Sequence, residues 1–192
     1  ISWMPTYLQE GRGFSPNQMK YWAMLPFIIG GCGDLFGGWL SDFLTIRIGL
    51  KWGRRLVGGG GLLLGGILLF AMAMTVNPQI AAVLLALSYG CQDSMLPVSW
   101  AVCLDVGGPH SGGISASMNM AGQIGSFVSS VAFGYAIDFL KAHHYTLEQQ
   151  FNLPIYPLAS MLIVSGALFF MIDARRSVVD ETQDESTVTA GR

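Results

Sequence analysis

The chain has 192 residues, 52% of them hydrophobic and 11% charged, against about 25% charged in an ordinary soluble domain. A formal net charge of −2, with no basic face to grip phosphates, excludes a nucleic-acid binder. No Asp, Glu, Lys or Arg occurs from Leu56 to Gln92 or from Val106 to Ile137, and about 20 mostly apolar residues make a spanning helix. These runs predict an all-α membrane protein, and the period-two alternation of a β-barrel is absent.

In chain order, Ile1 to Leu8 reads as the last two turns of a helix whose beginning is missing, which marks the chain as a fragment. Residues 1–10 are therefore expected to hold the end of a truncated transmembrane helix and the start of an outer loop, with 11–20 the rest of that turn-rich loop. The first full span, about Tyr21 to Leu40, contains Pro26, five glycines and one charge, Asp34. Ser41 to Arg55 gathers Asp42, Arg47, Lys51, Arg54 and Arg55 and is expected to be a basic loop. Leu56 to Val76 is the second span. Asn77-Pro78-Gln79 is a tight turn before a third span ending at Leu104. The turn Asp105–Ser111 leads into a fourth, Gly112–Ile137, and Leu153–Ile172 is the fifth. Residues 21–173 are thus expected to form a five-helix bundle, and the polar tail 174–192 to be disordered. Cys32, Cys91 and Cys103 lie in apolar runs and are expected to pack as small hydrophobes. His143 and His144, adjacent in a polar loop, do not make a metal site, and no cofactor motif is present.

Orientation follows from Lys and Arg in short loops. Arg47, Lys51, Arg54 and Arg55 in one loop, with Arg175, Arg176 and Arg192 in the tail, are seven of the ten basic residues. That side is expected to be cytoplasmic, with the C-terminus on it.

Polar side chains inside such spans cost several kcal/mol unless they face a partner or a wet cavity, so they are the functional candidates. On the third span these are Asp93, Ser99 and Trp100; on the fourth, Ser115, Asn119 and Gln123. Asp93, Pro97 and Trp100 share a helix face, and the proline permits a hinge. Asp93 is a proton carrier, an acceptor for neighbouring hydroxyls, or a residue near the outer cavity; Asp34 ranks behind it. Asn119 and Gln123, one turn apart, suit either a hydroxylated, carboxylate-bearing ligand or an interhelical hydrogen bond. Small residues at spacing four (Gly33/Gly37, Gly61/Gly65 and the run Gly122, Ser126, Ser130, Gly134) predict close helix packing.

Gly37-Gly38-Trp-Leu-Ser-Asp42, followed by Arg54-Arg55, resembles the Gly-x-x-x-Asp motif and basic loop of the major facilitator superfamily. The wider string of Trp3-Met-Pro-Thr-Tyr-Leu, Leu25-Pro26, Pro97-Val-Ser-Trp100, Asp105-Val-Gly-Gly108 and Met118-Asn-Met-Ala-Gly122 is similar to the second half of its anion:cation symporter branch. The resemblance implies the C-terminal half of a twelve-helix fold, with five complete transmembrane helices (eight to twelve) plus the end of helix seven. It implies a secondary transporter of a small organic anion such as a sugar acid, coupled to protons, in a bacterial-type inner membrane. Ser99, Trp100, Asn119, Gln123 and Ser115 would then line the substrate path, with Trp100 as an aromatic wall unless it is a lipid-belt residue. Gly38, Asp42, Arg54 and Arg55 would form the conformational-switch loop, although Phe43 stands where the family often has a basic residue. The partners implied are the anion, protons, the lipid bilayer and the missing N-terminal half, which would supply the anion-binding cations. Alternatives are a sensor, a carrier of a different small solute, or a membrane enzyme using Asp34 or Asp93.

Overall fold

The computed structural model describes residues 3–175; the tail expected beyond residue 175 lies outside them. Every regular element among the described residues is helical. A first short helix, α1 (Met4–Thr6), widens into a π-turn over Tyr7–Gly11. The long helix α2 (Pro16–Ile48) begins with a capping box: Ser15 Oγ accepts from the Gln18 amide at 3.3 Å, and Gln18 Oε1 accepts from the Ser15 amide at 3.2 Å. Proline at the first helical position costs no hydrogen bond. The loop expected over 11–20 is therefore shorter, because this cap starts the helix at Pro16.

The basic loop expected over Ser41–Arg55 is not a loop either. Helix α2 runs on to Ile48, Gly49 turns the chain at φ 88°, and α3 (Leu50–Met74) starts at once. At 33 residues, α2 is about 50 Å long, against a hydrocarbon thickness of about 30 Å. Its ends therefore stand outside the apolar layer, where charged residues fit a helix as well as they fit a loop.

Asn77 caps α4 (Pro78–Asp93), its Oδ1 accepting from Gln79 N at 3.0 Å and Ile80 N at 3.3 Å. The helix breaks at Ser94 before α5 (Met95–Gly107). Pro97 has no amide hydrogen for the Asp93 carbonyl, which places the hinge one turn ahead of the proline. After a single turn at Gly108–His110 comes α6 (Ser111–Ala142), then α7 (Leu147–Asn152) and α8 (Ile155–Phe169).

Four stretches of the described residues are long and apolar enough to cross a membrane: Pro16–Ile48, Leu50–Met74, Pro78–Ala142 and Gln149–Phe169. The third, 65 residues, folds back on itself at Gly108. Cys103 Sγ on α5 meets Met118 Sδ on α6 at 3.5 Å.

Helix α3 is the hub, touching α2, α4, α5 and α8. In lipid, helices associate by close packing rather than by hydrophobic burial, and the glycines provide it. A Cβ added at Gly33 would overlap the Gly90 carbonyl, and one at Gly37 would overlap Ser94 O, so α2 and α4 meet backbone to backbone. Gly61 lies against Cys91 O and Ser94 Oγ in the same way, and Gly65 against Ser88 and Gln92. The Gly122–Gly134 stripe behaves otherwise. No heavy atom lies within 4 Å of a Cβ built at Gly122 or Gly134, so among the described residues this face is not packed.

The end of α8 is tied to the start of α3. Lys51 Nζ lies 2.8 Å from Asp173 Oδ2, and Arg55 donates to the carbonyls of Ile172 (2.5 Å) and Met171 (3.2 Å). Hydrogen bonds from Arg175 and Lys51 hold the Asp173 carboxyl well below the usual carboxylate range. A lowered folded-state value means stabilisation that is complete above the unfolded value of about 3.9 and is lost as pH falls toward the folded one. Asp173→Asn is therefore expected to lower the melting temperature at neutral pH. The gap to wild type should close only on acidification below about pH 4, which melting curves across pH will check.

Candidate functional site

A cavity of about 600 Å³ opens between α2, α3, α4, α6 and α8, with Trp3 and Met4 at α1 and Met95 of α5 also in its wall. Its wall is mainly apolar, with Tyr89, Gln92, Ser126, Ser129 and Ser165 as the hydrogen-bonding groups and no charged residue. Gly122, Gly125, Ser126 and Ser129 recur at helical spacing on one face of α6, and their small side chains leave the space open. Gln92 is pre-oriented: its Nε2 donates to Ser88 Oγ at 2.9 Å, and the fully buried Ser88 donates to Gly65 O at 2.7 Å.

The residues nominated from sequence stand beside this cavity and do not line it. Ser115 is buried near the α5–α6 turn, Asn119 and Gln123 are exposed, and Trp100 is 42% exposed. Ser99 is half-buried, its Oγ donating to Met95 Sδ at 2.5 Å. Several of them continue the faces that form the wall. Ser99 is one turn beyond Met95 on α5, and Asn119 lies at helical spacing before Gly122 and Ser126 on α6. Sequence reasoning missed the lining groups Tyr89, Gln92, Ser129 and Ser165; for Tyr89, its place one turn before Asp93 was the available signal.

The two intramembrane acids come together. Asp93 lays its carboxylate over the bare backbone of Gly30 on α2, beside the Tyr89 ring, and Asp34 is one turn along that face of α2. Asp34 Oδ1 is buried without a hydrogen-bond partner among the described residues.

At the other end of α2, Arg54 bridges two helices. Its Nη1 donates to Asp42 Oδ1 at 2.8 Å and Ser41 Oγ at 2.9 Å, while its Nε donates to Asp105 Oδ2 on α5 at 3.1 Å. Asp42 thus sits within α2, not in a loop, because the helix continues past it to Ile48. Gly38 makes only ordinary contact with Pro97, at 3.6 Å from a built Cβ; the tight position is Gly37. Arg55 takes no part in the bridge and instead caps the carbonyls at the end of α8. Asp105 was not foreseen as the second carboxylate. Its position at the end of a span, on the membrane edge that also holds Arg54, was the signal.

Long charge-free helices, a tight glycine interface, a hinge and a central cavity define a multi-pass helical membrane protein. The family model of the Major Facilitator Superfamily matches residues 1–189, and the chain belongs to that superfamily. It is similar to the probable sulfoacetate transporter SauU of Cupriavidus necator, 36% identical over 142 residues, covering 72% of this chain and 32% of the relative. It is also similar to the probable galactarate/D-glucarate transporter GudP of Escherichia coli K12, 30% identical over 139 residues (71% and 30% coverage). A third relative is the hexuronate transporter of Bacillus subtilis, 26% identical over 142 residues (72% and 34%). The chain spans about a third of the length of the curated relatives it matches.

Proposed function

We propose that this chain is the C-terminal half of a secondary transporter that carries a small organic anion, such as a sugar acid, by alternating access with protons. The observation that carries the reading is the cavity: about 600 Å³, walled by residues of seven helices, with hydrogen-bonding groups suited to hydroxyls and no charge of its own. The relatives named for sulfoacetate, galactarate/D-glucarate and hexuronate support the substrate class.

On this reading the chain supplies five complete transmembrane helices and the end of a sixth, dividing Pro78–Ala142 at the Gly108 turn. The other half, and the earlier turns of the helix that ends near Tyr7, complete the wall. They also supply the cations for the anion, since no Lys or Arg lies in these cavity walls. Ser99, Trp100, Ser115, Asn119 and Gln123 extend the path beyond the cavity along the same faces. Asp34 and Asp93 carry the proton, and the Asp42–Arg54–Asp105 bridge sits at the cytoplasmic end, where it biases one conformational state.

The test is uptake of labelled glucarate, galacturonate and sulfoacetate by the full-length protein in proteoliposomes, with and without an imposed proton gradient. Gradient-stimulated accumulation abolished by a protonophore is expected; no uptake of any of these anions overturns the reading. Asp93→Asn is expected to lower gradient-driven uptake at least about tenfold, an effect of about 1.4 kcal/mol, while counterflow exchange persists. Loss of both to the same degree would count against a proton role.

A further inference from the structure

Among the described residues the most deeply held cation is Arg12, outside the cavity lining. Arg12, 9% exposed, makes no ion pair among the described residues. Its guanidinium is satisfied by neutral groups on three separate segments. Nη1 donates to Thr75 O at 2.6 Å and Nη2 to Met72 O at 3.2 Å, which caps the C-terminus of α3. Nη2 also reaches Asn152 Oδ1 on α7 at 3.3 Å, and Nε donates to the Tyr7 hydroxyl at 2.7 Å. The orphan carbonyls and negative dipole end of a helix favour a cation at this place. Tyr7 is fully buried, so its hydroxyl needs a partner of this kind.

Tyr7 in turn packs edge-on against Trp3, with centroids 5.9 Å apart and planes at 88°. Trp3 is stacked on Phe133 of α6 at 4.9 Å and 23°. Trp3 lines both the 600 Å³ cavity and a smaller hollow of about 220 Å³, where Thr6, Ser130 and Gly134 also stand. Trp3 is the residue that the two linings share, and Phe133 stands on the side of the smaller hollow. Phe133 is the α6 residue stacked on the ring; beside it, Ser130 and Gly134 are small.

We propose that Arg12 is a positioning residue that acts through Tyr7 to hold Trp3 in the lining that the cavity and the smaller hollow share. This rests on the carrier reading for its effect on transport, though not for the grip itself. The planar fork is essential, because a single ammonium cannot reach acceptors on three segments.

Two readouts separate the two parts. In a full-length protein whose only tryptophan is Trp3, Tyr7→Phe, Arg12→Lys and Arg12→Gln are expected to raise acrylamide quenching of Trp3 about twofold and to shift its emission to the red. Tyr7→Phe keeps ring and volume, so it stays informative if an Arg12 variant fails to fold. Unchanged quenching and emission in Tyr7→Phe, or wild-type behaviour of Arg12→Lys, overturns the proposal. In the native-tryptophan protein, Tyr7→Phe is expected to raise the KM for glucarate roughly three- to tenfold with kcat within about twofold, the mark of a change in binding rather than turnover. A loosened Trp3 with unchanged KM would overturn the link to the cavity. Wild-type protein that takes up no anion would sink the carrier reading, and the fluorescence would still decide whether Arg12 holds Trp3.

Discussion

Gly37→Ala is expected to be among the most damaging single substitutions in this chain, and Gly31→Ala on the same helix close to neutral. A Cβ at Gly37 falls on the backbone of Ser94, whereas one at Gly31 has no heavy atom within 4 Å. A flexible side chain could rotate away, but a backbone carbonyl at the α4–α5 junction cannot, so α2 must separate from α4. That separation also breaks the contact at Gly33 and moves Gly30 off the Asp93 carboxylate. Overpacking costs about 1–3 kcal/mol when side chains can adjust; with backbone as the obstacle, about 3 kcal/mol or more is expected. Gly31→Ala should be neutral or slightly stabilising, because alanine is the better helix former by about 1 kcal/mol. Melting of the full-length protein in detergent will check this: a drop of at least about 5 °C for Gly37→Ala and no drop for Gly31→Ala. Equal effects would show that the α2–α4 interface is not as tight as described.

Arg54→Gln is expected to cut transport turnover by about ten- to a hundredfold in the full-length protein, equivalent to about 1.4–2.7 kcal/mol, while membrane insertion stays normal. The weight of this effect lies with Asp105 rather than Asp42. The Asp42 side chain is 71% exposed and that of Asp105 is 24% exposed, while Arg54 itself is 12% exposed. An exposed pair contributes about 0.2–1 kcal/mol, whereas a half-buried carboxylate left without its cation costs more. Arg54→Lys should restore little, since Nε and Nη1 serve different helices. A double-mutant cycle will apportion the bridge: Arg54 with Asp105→Asn should show coupling of about 1–3 kcal/mol, and Arg54 with Asp42→Asn less than about 1 kcal/mol. The reverse ranking would return the main role to Asp42.

Much of this molecule could be read along the chain because the physics there is local. Charge-free runs of bilayer length, the Asn77-Pro78 start of α4, the Pro97 hinge and the Gly33/Gly37 spacing each depend on residues within a few turns. Helix ends were harder to read. The Ser15–Gln18 capping box sits inside a stretch rich in turn formers, and the charged continuation of α2 past Leu40 looks like a loop by composition alone.

The partners across the fold were not legible at all. Arg54 meets Asp105 51 residues away, and Arg12 meets Asn152 140 residues away. Such pairings depend on which helices the close glycine contacts bring together. The same holds for the two small-residue stripes. Gly33/Gly37 and Gly122/Gly134 have one spacing pattern, yet only the first meets another backbone among the described residues. Spacing along a helix determines which residues share a face, so the sequence by itself determined the spans and their stripes. What each face meets depends on where the other helices lie, so only the tertiary structure decided which stripe packs, which carboxylate Arg54 holds, and that a cation is buried at Arg12.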